Sequence, residues 1–190
     1  MKHIDLFDLI APAYALFYKH QRKGYRRSID ILFKQENYEQ MHGIDVGCGT
    51  GALTAALAEH MSIKGVDGSS KMIIEARKLN PQLDFQVVNF DHGLPFSDQS
   101  TQLVFSSFVL HGISSQQRMS LLKEMKRIAT KAVIIIDYHQ GYHPLISLIE
   151  WVEHGDYFNF MKHFEHEYIL FFEHVKIIKV NKQTAIYVLS

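Results

Sequence analysis

An acid followed by three glycines marks the stretch of this chain best suited to chemistry. Asp45 interrupts the apolar run Ile44-Asp45-Val46, and Gly47, Gly49 and Gly51 follow at alternate positions with Cys48 and Thr50 between them. Glycine is needed where the backbone takes positive φ or passes close to a ligand. From Gly51 to about Met61 the chain is rich in Ala and Leu and reads as a helix. The first N–H groups of that helix are unpaired and face the same spot as the glycine turn. Strand, tight turn and helix N-terminus together form a cradle for a nucleotide-like cofactor.

The spacing narrows the choice. A dinucleotide fingerprint is G-x-G-x-x-G, with its third glycine set for close helix–strand packing. Here the pattern is G-x-G-x-G, and Ala52 stands where that third glycine belongs. Asp45 would also face the phosphates of a dinucleotide and repel them, so a nicotinamide-dependent oxidoreductase fits poorly. An anion there suits a cofactor with an ammonium and a sulfonium, S-adenosylmethionine. The strand–Asp–GxGxG stretch resembles motif I of the class I S-adenosylmethionine-dependent methyltransferases. Cys48 is then a small residue tolerated in the turn rather than a nucleophile.

Further motifs extend the resemblance, most closely to the type 11 group that includes ubiquinone and menaquinone biosynthesis enzymes. Phe7-Asp8-Leu9-Ile10-Ala11-Pro12-Ala13-Tyr14 is similar to that group's "FDxxAxxY" opening, which implies an N-terminal lid and puts Tyr14 at the cofactor or in the core. Asp67 ends a second strand, Ile63 to Asp67, twenty residues after Gly47. An acid at that place accepts hydrogen bonds from ribose hydroxyls. Asp67-Gly68-Ser69-Ser70-Lys71-Met72 matches the group's D-x-S-x-x-M, implying a serine helix cap and Met72 against the adenine. A third strand, Leu83 to Val88, leads to Asn89-Phe90-Asp91 and Leu94-Pro95-Phe96. The group's adenine-binding acid should fall at Asn89 or Phe90, and the chain departs from that pattern by carrying its acid at Asp91. The Asn89 amide can still accept, so Asn89 is favoured over Asp91, with the Phe90 N–H beside it. After strand four, Gln102 to Phe108, the segment to His111 resembles "FDxVxxxxxLHH", with Gln102 for the usual Asp and Gly112 for the second His. Ser106 and Ser107 lie at that strand's carboxyl end, where α/β sheets form ligand sites, and Ser107 is assigned to the cofactor.

The remaining elements must hold these groups. Residues 3–36 carry apolar positions at helical spacing and read as one amphipathic helix or a helix pair, with Pro12 at a helix start and Gly24 at a break. Lys19, Arg22, Lys23, Arg26 and Arg27 form a basic run, either a solvated face or a cation for a carboxylate of cofactor or substrate. Ser114-Ser115-Gln116-Gln117 is a capping box that starts a helix with Met119, Leu122, Met125 and Ile128 on one face. Ala132 to Asp137 is a buried fifth strand. Residues 144–153 and Phe164 to Phe172 read as helices, and Val175–Val180 with Thr184–Leu189 as a terminal hairpin about Asn181-Lys182. The resemblance implies a Rossmann-like, mostly parallel seven-stranded sheet with helices on both faces, the hairpin antiparallel and a helical lid in front. A single domain is expected, with residues 1–36 as lid and 41–190 as cofactor-binding core.

Composition limits the alternatives. Hydrophobic residues make up 47% and charged residues 21% of the 190, ordinary for a globular enzyme. Formal net charge is zero, which gives no global field for nucleic acid, and no base-modifying (D/N)-P-P-(Y/F) or Pro-Cys motif appears. Cys48 is the sole cysteine, so no internal disulfide forms and a cytoplasmic location is expected. No apolar run approaches ~18 residues, and the acids Asp5 and Asp8 make the N-terminus unlike a signal peptide. Of the twelve histidines, His111 at the end of strand four is the best placed general base, followed by Tyr138 and His139, with His143 beyond. The His139/His143 and His163/His166 spacings lack a third ligand, and no metal is expected. The expected function is transfer of a methyl group from S-adenosylmethionine, leaving S-adenosylhomocysteine, in line to a small-molecule acceptor. A protein that binds the cofactor without catalysis, or regulates a partner, is the alternative.

Overall fold

The computed structural model describes residues 2–139 and 156–190, the side chains of residues 2–15 and Asp91 excepted. Helices with an apolar face and short, largely apolar strands alternate along it. The order is α1 (Lys2–Phe33), β1 (His42–Val46), α2 (Ala52–Leu57), β2 (Ser62–Asp67), α3 (Ser70–Leu79), β3 (Asp84–Val87), β4 (Thr101–Ser107), α4 (Ser115–Ile128), β5 (Ala129–Tyr138), α5 (Tyr157–Tyr168), β6 (Val175–Lys179) and β7 (Thr184–Leu189). Single 3₁₀ turns cover Phe90–His92 and Leu110–Gly112.

The seven strands form one sheet in the order β3-β2-β1-β4-β5-β7-β6. Strands β1 to β5 pair in parallel, and β7 inserts antiparallel between β5 and β6. The expected sheet, with its terminal hairpin, is therefore present. Its central strands are buried on both faces, and period-2 alternation sorts their side chains. Val104, Val133, Ile135, Tyr187 and Leu189 join the apolar layer that contains Leu122 and Met125 of α4 and Phe160 and Phe164 of α5. Their neighbours Leu103, Phe105, Ile134, Ile136, Ile186 and Val188 meet Ile29 and Leu32 of α1 and Leu53 and Leu57 of α2 on the other side. A one-residue slip in register would exchange the two sets. Strand order reverses between β1 and β4, so the loops leaving their carboxyl ends diverge and open a crevice.

Several boundaries differ from expectation. Of the two arrangements expected for the N-terminal segment, the single helix is present, and it runs through both Pro12, expected at a helix start, and Gly24, expected at a break. Its later half is anchored along its length: Tyr18 bonds Asn80, Arg22 and Arg26 meet Glu59, and Ile29 and Leu32 are buried. Tertiary packing of that kind outweighs the roughly 1 kcal/mol that an interior glycine costs. Helix α2 stops at Leu57, short of Met61. The late helix is Tyr157–Tyr168, whereas Phe164 to Phe172 was expected, because Phe172 leaves the helix to pack beside the terminal hairpin. In α4 the Ser114–Gln117 capping box is present, but the buried face is Arg118, Leu121, Leu122, Met125 and Ile128, with Met119 only partly covered. The expected helix over 144–153, with Gly141, Tyr142 and His143 before it, lies outside the described residues. No helix among the described residues is long and apolar enough to cross a membrane.

Candidate cofactor and active site

The loop after β1 is held by two bonds to its neighbour strand, from the N–H of Gly47 (2.8 Å) and of Cys48 (3.0 Å) to Val66 O. Gly47 has φ +74°, and a Cβ there would stand 2.4 Å from Val109 Cγ2. Gly49 has φ +53°, and nothing approaches within 4 Å of the place its Cβ would occupy. The first glycine thus lets two loops touch, while the second leaves backbone open towards the crevice. Gly51, at φ +81°, precedes α2 and packs against the Phe85 ring rather than lining the cavity. Burial, and then the charges of Asp67 and Asp45, push the Cys48 thiol well above its ordinary range. A thiol so held is a poor nucleophile.

Asp45 is fully buried behind this loop and does not line the cavity. Thr54 Oγ1 donates to its Oδ2 at 2.6 Å, and Oδ1 has no partner among the described residues. Burial raises its pKa to about 7, against the lowering effect of the Thr54 bond and with a smaller push from Asp67. Asp45 is thus set one layer behind the glycine loop and not at the cavity surface.

A cavity of about 1310 Å³ opens over the carboxyl ends of β1, β2, β4 and β5. It is lined by Gly47, Cys48, Gly49, Asp67, Gly68, Met72, Asn89, Phe90 and Ser107 among the cofactor residues read from the sequence. Asp67 Oδ2 accepts from Gly49 N and Oδ1 from Ser69 N, both at 2.8 Å, which fixes the carboxylate and joins the β1 loop to the β2 end. An ionised carboxylate has about four lone-pair sites, so these bonds are compatible with hydroxyls as further donors. Ser69 caps α3 by accepting from Met72 N, and Met72 is buried against the cavity wall. Tyr14 and Asp91 have side chains outside the described residues.

Opposite the glycine loop, the chain leaves β4 through Ser107 and Phe108. Ser107 Oγ donates to Tyr25 OH at 3.0 Å, which ties α1 across the cavity. Phe108 takes φ +51°, a left-handed conformation uncommon for a bulky residue, with its N–H bonded to Ile136 O. Such strain persists only where the surroundings enforce it, and here it turns the chain so that His111 faces back over the sheet. His111 Nδ1 lies 2.6 Å from Asp137 Oδ1, and Asp137 is fully buried at the end of β5. The His111 N–H also reaches Asp137 Oδ2 at 3.4 Å, and Tyr138 N donates to Oδ1 at 2.8 Å. A carboxylate on Nδ1 selects the tautomer that carries its proton there and its lone pair on Nε2. Tyr138 stands edge-on to His111 at 4.7 Å between ring centres and also lines the cavity.

His139 does not line it. Its backbone N–H pairs with Gln183 O, and its Nδ1 lies 3.3 Å from Tyr187 OH. Burial and then the Lys179 charge lower its pKa. His139 is the first residue beyond β5, and its ring is held against Tyr187 of β7. The basic run divides likewise: Arg22 and Arg26 bond Glu59 in the turn after α2, whereas Arg27 lines the cavity. Among the described residues no three His, Cys, Asp or Glu side chains converge as a metal site. Gln102, where the group carries Asp, bonds His42 N at 3.1 Å at the far end of the sheet.

Two contributors escaped the sequence reading. Asp137 reads as the end of an apolar strand, and the signal was an acid at the carboxyl end of a run otherwise buried on both faces. Glu124 lines the cavity, accepts from Leu94 N at 2.9 Å and pairs with Arg127, which holds Leu94 O and Phe96 O. These bonds fix the Leu94-Pro95-Phe96 segment, a role that i,i+3 charges on a helix do not advertise.

The residues present fit S-adenosylmethionine: a fixed carboxylate at the β2 end, the Asn89 amide and Phe90 backbone beyond it, open glycine backbone, and a buried acid with one unpartnered oxygen behind. A family model described as Methyltransferase domain matches residues 44–132. The chain is 33% identical over 135 residues to the demethylmenaquinone methyltransferase of Thermotoga maritima, covering 67% of this chain and 57% of that one. It is 24% identical over 152 residues to a ubiquinone/menaquinone biosynthesis C-methyltransferase of Campylobacter jejuni, covering 71% and 62%. The chain thus spans somewhat over half the length of these relatives. Among solved structures, a complex titled DhpI-SAM-HEP aligns with a TM-score of 0.75 at 13% identity, covering 100% of this chain and 96% of that one. A putative S-adenosylmethionine-dependent methyltransferase of Methanococcus maripaludis aligns with a TM-score of 0.71 at 20% identity, over 96% and 92%. These likenesses join the motif-bearing crevice in one conclusion: the chain belongs to the class I S-adenosylmethionine-dependent methyltransferases, in the group similar to the ubiquinone and menaquinone enzymes.

Proposed function

We propose that this chain transfers a methyl group from S-adenosylmethionine to a small organic acceptor whose reacting group is deprotonated by His111. The observation that carries this reading is the His111–Asp137 pair, buried apart from the ring edge that meets the cavity. A carboxylate that orients an imidazole and stabilises its cation makes the second nitrogen a competent base. When bound, the cofactor supplies a methyl group already activated by the sulfonium. The chain's own contribution is alignment and proton removal. Asp67, Asn89 and the Phe90 backbone hold the nucleoside end, and the Gly47–Gly49 backbone borders the methionine end. Holding donor and acceptor collinear can supply on the order of 7–11 kcal/mol.

The far side of the cavity is bordered by Phe108, Val109, Ile136 and Tyr138 beside His111. Those walls favour a flat, largely apolar acceptor with an acidic O–H or C–H. A phenolic or quinol ring meets that description, in agreement with the name of the Thermotoga maritima relative, demethylmenaquinone methyltransferase.

Labelled S-adenosylmethionine offered with a panel of phenols and hydroquinones tests the proposal. Wild-type protein should label an acceptor, and His111→Ala should lower kcat by ~10²–10⁴-fold with the S-adenosylhomocysteine Kd within twofold of wild type. Failure of calorimetry to detect S-adenosylmethionine would overturn the enzyme reading. Binding without turnover across the panel would favour a cofactor-binding, non-catalytic role.

A further inference from the structure

Behind the His111 turn lies a charged group that solvent does not reach. Arg118 sits in the first turn of α4 at the position of an ordinary solvated arginine, yet none of it is exposed. Helical spacing explains how: 118, 121, 122, 125 and 128 share one face, and Tyr157, Phe160, Phe164, Glu167 and Tyr168 share the facing side of α5. Each helix therefore brings one charge into an otherwise apolar seam. Glu167 takes the Arg118 Nε, its Oε1 accepts from Arg118 Nη2 at 2.8 Å, and Ser115 Oγ donates to Oε1 at 2.6 Å. Burial alone would raise the Glu167 pKa, but the Arg118 and Ser115 bonds and the Arg118 charge outweigh it, and the pKa is lowered.

The rest of the guanidinium is spent on the loop that carries His111. Nη1 donates to Leu110 O at 3.0 Å and to Ile113 O at 2.8 Å, the carbonyls flanking His111-Gly112. Nη2 also approaches Asp156 Oδ2 at 3.4 Å. Its carbon lies 5.5 Å from the centre of the Phe160 ring, and Phe160 in turn stands edge-on to the His111 ring at 6.3 Å. One planar donor thus grips the turn on both sides of the histidine and backs the ring that His111 rests against. A buried ion pair is a poor source of stability, because desolvation offsets its attraction. Its value here is geometric.

We propose that Arg118 is a positioning residue for His111: it locks the Leu110–Ile113 turn so that the imidazole stays on Asp137 and keeps Nε2 towards the cavity. Glu167 keeps the guanidinium aimed. The consequence for catalysis rests on His111 being the base, whereas the effect on the imidazole does not.

The test separates stability from aim. Arg118→Met combined with Glu167→Met removes both charges and keeps the volume, a replacement that buried pairs often tolerate. This double variant should keep a Tm near that of wild type. Nitrogen-15 NMR of His111 should show the Nδ1–H tautomer in wild type and averaged tautomers in the double variant. kcat should fall by about 10²-fold, as expected of a slightly misplaced group, with KM and the S-adenosylhomocysteine Kd unchanged. Arg118→Lys, which keeps the charge but lacks the planar fork, should resemble the double variant in the His111 spectrum and is the arm to read if that variant does not fold. A folded variant without Arg118 whose His111 spectrum matches wild type would overturn the proposal. His111→Ala serves as the reference: undiminished turnover there removes the base reading, while the spectra still decide whether Arg118 positions the ring.

Discussion

At the scale of residues, the unusual feature of the site is a fully buried acid bonded through one oxygen. Asp45 binds Thr54 through one oxygen and nothing through the other, and its pKa is raised to about 7. A folded-state pKa above the unfolded value means that the folded chain holds the proton more tightly. The contribution to stability is then full below pH ~4 and is lost as pH rises through about 7. In the absence of ligand, Asp45→Asn should flatten this part of the stability curve, by at most about 4 kcal/mol, as read by urea unfolding at pH 5 and pH 8. A cationic cofactor favours the ionised acid, so S-adenosylmethionine should bind more tightly as pH rises through 7, and Asp45→Asn should weaken it at pH 8. An unfolding curve for Asp45→Asn parallel to that of wild type across this range would refute the argument. Gly47 yields a second prediction. Gly47→Ala drives a methyl into Val109 and forces a left-handed φ, so cofactor affinity should collapse. Adding Val109→Ala should recover only part of it, because ~1–2 kcal/mol of backbone strain remains.

At the scale of elements, loops are held by side chains from helices rather than by their own residues. Glu124 and Arg127, one turn apart on α4, together bond Leu94 N, Leu94 O and Phe96 O. The Arg127 bond lowers the Glu124 pKa, with burial opposing it. Glu124→Ala should lower Tm by a few degrees, the scale of ~1 kcal/mol in a domain of this length. It should also raise the S-adenosylhomocysteine Kd, since Asn89 and Phe90 lie at the other end of the freed loop. A raised Kd with Tm unchanged, or the reverse, would show that the loop and the binding site are not coupled. Tyr25 and Tyr18 do for α1 what Glu124 does for α4, crossing to Ser107 and Asn80. Those ties hold α1 as a continuous helix on either side of Gly24.

At the scale of the whole molecule, the last strand is a central one. β7 pairs on one side with β5 and on the other with β6, and Ala185, Ile186, Val188 and Leu189 are buried within it. Removing residues 181–190 would leave β5 with an exposed apolar edge, and unpaired edges aggregate. A chain ending at Val180 should lack a cooperative thermal transition and elute as aggregate on size exclusion. A sharp transition and a monomeric peak would mean that the parallel half of the sheet folds alone. Conversely, saturating S-adenosylhomocysteine should raise the Tm of the intact chain, because a ligand that binds only the folded state stabilises it by mass action.

What the sequence determined alone was local and chemical. The GxGxG turn, Asp67 with its Ser69 cap, the Asn89-Phe90 step and the strand periods were legible because each depends on neighbours a few residues apart. From them followed the cofactor class and, through the family resemblance they carry, the parallel sheet with its antiparallel hairpin. His111 was singled out by its place after β4, whereas its partner Asp137, 26 residues later, was not. Nothing in a sequence says which end residues of adjacent parallel strands meet. His139 was named for its proximity in sequence to Tyr138, yet its ring is held by Tyr187 of β7 and does not line the cavity. Arg118 and Glu167 were not singled out, because nothing in either helix taken singly turns its charge inward. Only the packing of α4 on α5 turned both inward and closed them over the histidine. Short-range sterics and hydrophobic period specify the cradle for the cofactor, but the machinery around His111 is made by contacts between elements distant in the chain, and those exist only once the whole sheet has closed.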